Sequence, residues 1–388
     1  MIRIALITWL LFAASGCSTL TSWVPGILEG EDNTAPPAKL QSIEAPVKLS
    51  RRWSRDIGVG RNEYKLNLRP VVKGSHLFAA DSEGRVTAID ALTGDIVWTV
   101  KTGAAVSAGP GVGEGLVLLG TSDAEIIALD AVDGSERWRT FVSSEVLAIP
   151  QTDLEKVVIQ TADGNVSALS ANDGQSLWSY NRTVPVLTLR GTSSPAIQQG
   201  LVVAGFSSGK LVALTADHGR VAWETSIAIP QGRSELERIV DIDGSPIIVG
   251  GAVFVSTFQG RIAAVELATG NLGWKRDISS HAGLGVDYSQ VYVTDEDSHV
   301  WALSRTTGAA EWKLDQLANR KLTAPEPFHD YVAVADYEGY VHLLSRYDGK
   351  ISGRIEVDGK GVSARPLVVD DVLYIYGNSG KLAAYILE

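Results

Sequence analysis

Cysteine is almost missing from this chain: its 388 residues include one, Cys17. An intrachain disulfide, a thiolate zinc site and an iron–sulfur cluster are therefore excluded. Histidine is scarce, and the six present (His76, His218, His281, His299, His329 and His342) lack metal-ligand spacing. Basic residues are outnumbered 34 to 45, so the net charge is −11 at pH 7 and nucleic acid is not an expected partner. Charged residues make up only 20% against 45% hydrophobic, with 39 glycines, a balance that excludes disorder as the main state. The apolar run over residues 4–14 is too short to span a bilayer comfortably. The length suits two or three ordinary domains or one large β-architecture.

At the start of the chain, Arg3, the apolar run and small residues before Cys17 read as an export signal. Ala14-Ser15-Gly16-Cys17 resembles the bacterial lipobox, whose cysteine becomes the first residue and carries acyl chains. The lipobox pattern prefers leucine where Ala14 stands. The resemblance implies a lipid anchor on Cys17, and Ser18 after it implies sorting to the outer membrane, facing the periplasm. A plain signal peptide with an incidental cysteine is the alternative. Pro25, Pro36, Pro37 and Pro46 stand among Ser, Thr, Asp and Glu, the composition of a tether without regular structure. The expected organisation is a signal peptide over 1–16, a lipidated flexible tether over 17–49 and one folded body over 50–388.

That body is repetitive. The stretch from Gly84 to Gly94, with Trp98 four residues on, returns from Ala124 to Trp138 and from Gly164 to Trp178. Further copies run from Gly209 to Trp223, Gly260 to Trp274 and Ser298 to Trp312. A seventh copy begins at Gly339 but has Gly353 where Trp is due, and an eighth begins at Gly380 and stops at Glu388. Pro70, Pro110, Pro150, Pro195, Pro246, Pro325 and Pro366 keep the same phase, with Leu284 at the one gap. Each unit reads as four short strands, the signature of a β-propeller blade. Proline lacks a ladder donor, so it belongs at the start of the edge strand beside the central channel. The periodic Trp reads as a wedge between blades; burying ~200 Å² contributes a gross ~5 kcal/mol, an upper bound. Trp53 lies in an orphan outer strand that should complete the last blade and remove free ring edges. The expected fold is all-β: an eight-bladed β-propeller closed by pairing the N-terminal strand into the last blade.

Catalytic motifs do not survive inspection. Gly205-Phe-Ser207-Ser-Gly209 matches the nucleophile-elbow spacing but falls at a repeat-phase turn with no helix to follow. Asp241-Ile-Asp243-Gly244 opens like a calcium loop, yet Ala252 stands where the closing acidic ligand is due. Asp295-Glu-Asp297 is another repeat-phase turn. No catalytic residue, metal or cofactor is expected.

The register from Ala91 through Trp98 resembles the tryptophan-docking repeat of pyrroloquinoline-quinone dehydrogenases, which are also eight-bladed. Those enzymes are longer and usually carry a disulfide of adjacent cysteines that this chain lacks. A quinone-dependent enzyme or a ligand-binding periplasmic propeller is thus the alternative class. Lipobox, tether and eight compact blades together resemble the outer-membrane protein assembly factor BamB family, lipoproteins of the β-barrel assembly machinery. The specific segments are Pro185-Val-Leu-Thr-Leu-Arg-Gly191 and Arg238-Ile-Val-Asp-Ile-Asp-Gly-Ser-Pro246. The resemblance implies no enzymatic activity and a contact surface for BamA, the barrel protein with POTRA domains, made by Leu187, Leu189, Arg190, Asp241 and Asp243. Unfolded outer-membrane proteins are a further partner it allows.

Spacing points to the same segments. Twelve residues separate Trp98 from Pro110 and Trp138 from Pro150, but 17 separate Trp178 from Pro195 and 23 separate Trp223 from Pro246. Repeat proteins carry such insertions on their binding face. Leu187 and Leu189 should be exposed there. An alternative is that the two connections only pack on each other, with Arg190 paired to Asp241 or Asp243.

Overall fold

The computed structural model describes residues 35–388 except 45, 62–65, 186, 190–192 and 235. Cys17 and Arg190 lie outside the described residues. Eight sheets form the eight blades of a β-propeller, and no helix occurs among the described residues. Blade 1 has the pattern of the rest: Val71–Lys73, His76–Ala80, Arg85–Asp90 and Ile96–Lys101, antiparallel from inside to outside. The two middle strands of each blade are buried on both sides, which is why they read as apolar runs rather than alternations.

The blades are joined by tryptophan. Trp53, Trp98, Trp138, Trp178, Trp223, Trp274 and Trp312 each leave the outer strand of one blade and dock on the outer hairpin of the next. Each Nε1–H donates to the carbonyl of Ala91, Ala131, Ala171, Ala216, Leu267, Arg305 or Arg346 respectively, at 2.7–3.1 Å. Three residues beyond each acceptor is the repeat glycine, at φ between +64° and +77°. A Cβ on any of these seven glycines would lie 2.4–2.7 Å from an indole carbon. Gly is therefore required twice over, for the left-handed turn and for the close approach of the ring.

Ring closure follows the expected route. Leu49–Asp56 pairs antiparallel with Lys381–Leu387, placing Trp53 opposite Ala384. The last blade thus takes its outer strand from the other end of the chain.

Two features depart from expectation. Asn67–Leu68 adds a fifth strand to blade 2, pairing parallel with Val106–Gly113, so that strand is no longer the bare inner edge. Pro110 sits inside this strand rather than before it, at a register shift that removes the need for its missing N–H. The second departure is the segment 37–48, expected to belong to a free tether. Its described residues form no strand before Leu49, but they are bonded to the propeller. Ala38 N–H donates to Ala318 O, Val47 N–H to Ser352 O, Arg320 Nη1 to Ala38 O and Arg354 Nη1 to Gln41 O. Leu40 packs with Trp312, Leu317 and Leu322. Arginine forks and a single leucine thus hold down a stretch whose composition alone reads as loose.

A candidate docking face

The two long connections run from outer strand Ser176–Asn181 to inner strand Ala196–Gln198, and from Val221–Ser226 to Ile247–Val249. They belong to neighbouring blades and emerge at one end of the ring. Apolar packing anchors the second connection from below: Ile239, Val240 and Ile242 are buried. Ile242 lies where a Cβ on Gly205 would come within 2.3 Å of its Cγ2, and Val240 lies over Gly209. The two outer glycines of the G-x-S-x-G motif are therefore explained by this close approach. Ser207 occupies the turn between Leu201–Gly205 and Lys210–Thr215, as a repeat-phase turn should.

Asp241 corrects the expectation of an exposed acidic contact: its side chain is 0% exposed. The buried neighbours on both sides draw the backbone inward and carry the carboxylate with it. One oxygen, Oδ2, accepts the Leu189 N–H of the first connection. The other, Oδ1, is buried and has no partner among the described residues. Burial raises the Asp241 pKa to about 6, and the Leu189 N–H opposes that rise only in part. Further links bind the two connections together, from Ser194 N–H to Ser245 Oγ at 2.9 Å and from Ser193 Oγ to Gly244 O at 3.3 Å.

Leu187 and Leu189 stand 46% and 42% exposed, as the sequence implied. Asp243 is half-buried. Sequence reasoning missed Ile229 and Leu236, exposed apolar residues on the second connection. Their signal was apolar character within an insertion, which the repeat comparison does not test residue by residue. Beside the connections is a shallow cleft lined by Gln160, Thr183, Pro185, Phe206, Ser207 and Ser208. No histidine lines it, so Ser207 has no base there.

The described residues bring one group of metal-ligand type together, Asp295, Asp297 and His299, with ligand atoms within 4.8 Å of one another. Asp295 is occupied by its turn: Oδ1 accepts the Asp297 and His299 N–H groups, and Oδ2 bonds His299 Nδ1 and Trp301 Nε1. Asp81 and Asp336 brace the corresponding turns of other blades in the same way. This is a structural device of the repeat.

Comparison with known proteins places these features. The family model described as outer membrane protein assembly factor BamB matches residues 82–314. A relative of that name from Pseudomonas aeruginosa is 53% identical over 365 residues, 94% of this chain and 96% of the relative. The crystal structure of BamB from Moraxella catarrhalis matches with a TM-score of 0.79 and 27% identity, covering 87% of this chain and 100% of that one. A quinohemoprotein alcohol dehydrogenase from Pseudomonas putida HK5 matches with a TM-score of 0.70 over 87% of this chain and 76% of its own. At 15% identity that likeness concerns the fold alone.

Proposed function

The chain belongs to the outer membrane protein assembly factor BamB family, and from that premise we propose that it is a non-catalytic scaffold lipoprotein of the β-barrel assembly machinery. In this reading Cys17 carries the lipid anchor and holds the protein at the periplasmic side of the outer membrane. The connections of blades 3 and 4 dock the POTRA domains of BamA, and the complex assists folding and insertion of outer-membrane proteins. No cofactor takes part.

The observation that carries the docking reading is the pair Leu187 and Leu189, exposed on a connection that is tied down through Asp241. Two apolar side chains held in place lose little freedom on binding, and such anchors dominate small interfaces. Leu187, Leu189, Arg190 and Asp243 are the proposed contacts. Asp241 is a positioning residue that acts through Leu189. Ile229 and Leu236 extend the apolar area.

The test is direct binding to purified POTRA domains. Leu189→Ala should weaken affinity about thirtyfold, ~2 kcal/mol, without lowering the melting temperature appreciably. Unchanged affinity in Leu187→Ala, Leu189→Ala and Arg190→Ala alike would sink the docking reading. For the anchor, Cys17→Ser should release the protein from membrane fractions lacking its partners.

A further inference from the structure

Two arginines and one glutamate meet where the chain enters the inner strands of three consecutive blades. Glu326 begins the inner strand of blade 7, Arg365 precedes that of blade 8 by two residues, and Arg69 precedes that of blade 1 by two. Each adjoins the repeat proline, at Pro325, Pro366 and Pro70. Repeat geometry therefore converges these side chains at one end of the ring, away from blades 3 and 4.

Their charges do not balance. Arg365 Nε donates to Glu326 Oε2, and the same oxygen lies 3.8 Å from Arg69 Nη2. One carboxylate thus stands between two guanidiniums. The Nε–H of Arg69 is buried and has no acceptor among the described residues. Desolvation first, and the neighbouring Arg365 guanidinium second, lower the Arg69 pKa to about 10 against the opposing pull of Glu326. A buried donor without an acceptor is unfavourable, and the two guanidiniums, Arg69 with its side chain 31% exposed, share a single carboxylate. The tryptophan seams lie at the outer strands, so these three side chains are no part of them.

A guanidinium offers a planar fork of N–H donors that fits two oxygens of a carboxylate or phosphate. We propose that Arg69 and Arg365 form a binding site for a small oxyanion, a carboxylate or phosphate group, at the inner-strand starts of blades 7, 8 and 1. The anion would supply the acceptor that Arg69 lacks and the missing negative charge. The site is independent of the docking face.

The experiment follows the arginine Nε–H resonances of the full-length chain during titration with sodium phosphate, and separately with sodium acetate, against sodium chloride at matched ionic strength. Arg69→Gln assigns the resonance. The expected result is a saturable shift of the Arg69 Nε–H with phosphate or acetate but not with chloride. Whichever of the two saturates at lower concentration identifies the class of oxyanion. Stabilisation by that anion in thermal melts should require at least tenfold more anion in Arg69→Gln, with Arg69→Lys in between. The wild-type shift stands even if a variant folds poorly. No shift beyond that of chloride, or equal stabilisation of wild type and Arg69→Gln, would overturn the site.

Discussion

Seven seams of the ring are closed by a tryptophan on a glycine, and the seam between blades 7 and 8 is not. The reason lies in the partner blade. Blade 8 takes its outer strand, Leu49–Asp56, from the N-terminal segment, so no hairpin joins that strand to Lys381–Leu387 and no glycine turn stands there to receive a tryptophan. Gly353 stands in the outer strand of blade 7 at the tryptophan position, and the chain's own N-terminal segment fills the space. A Cβ on Gly353 would sit 3.0 Å from Val47 O. Val47 and Leu49 pack beside Ile355 and Leu387, while Glu388 N–H donates to Lys48 O. The missing Trp and the missing turn are thus one adjustment to ring closure. A repeated seam rests on one large buried ring; the closing seam distributes the same task over many small contacts.

The contrast can be broken most strongly at Trp53, which closes the ring from the other side. Trp53→Ala removes a ring that is 5% exposed together with its bond to Ala91 O. We expect a loss of about 3–5 kcal/mol in chemical denaturation. A loss below about 1 kcal/mol would mean that strand pairing, not the docked ring, holds the terminal strand. Gly353→Trp should cost less, about 1–3 kcal/mol, because the new ring has no glycine turn to receive it and must displace Val47. Limited proteolysis within residues 37–48 should then accelerate, whereas the same substitution would be silent if the segment did not pack there.

The clamp on that segment is smaller in effect. Arg354 Nη1 donates to Gln41 O at 2.9 Å, and its Nε donates to the buried His342 Nδ1 at 3.1 Å. Arg354→Gln should cost about 1 kcal/mol and expose the Gln41 region to protease, leaving the tryptophan seams intact. Hydrogen exchange that loosens across all eight blades would refute so local a role.

How much of this was legible follows from what the repeat encodes. Trp98, Gly134 and Pro150 recur in phase, so blade number, seams and the pairing of the Trp53 strand were readable from spacing alone. Asn67–Leu68 was not, because a two-residue parallel strand has no pattern of its own. Nor was the docking of Ala38 and Gln41, where the arginines bind backbone carbonyls that any residue would present. At the candidate site, the exposure of Leu187 and Leu189 was readable from the length of their connection. The burial of Asp241 was not: charge suggests a solvated side chain, and only the packing of Ile239, Val240 and Ile242 reverses that.

Asp241 sharpens the comparison with the least change in net stability. The seams depend on apolar burial, whereas among the links between the two long connections is one carboxylate whose pKa is raised to about 6. In the unfolded chain an aspartate titrates near 3.9. Between about pH 4 and 6 the folded protein therefore holds more protons at this group than the unfolded chain does. Stability from this residue is greatest below that window and falls as pH rises through it. Asp241→Asn keeps an oxygen for the Leu189 N–H and removes the buried charge, but it places an amide N–H₂ where Oδ1 has no partner. These effects oppose each other, so at neutral pH the variant should lie within about 1 kcal/mol of wild type. Its distinguishing mark is the pH profile. Other groups titrate in both proteins, so the quantity to compare from pH 4 to 8 is the difference in unfolding free energy between wild type and Asp241→Asn. That difference should move against wild type as pH rises from 4 to 6 and stay level above 7. A flat difference across the range would show that the fold does not raise the Asp241 pKa.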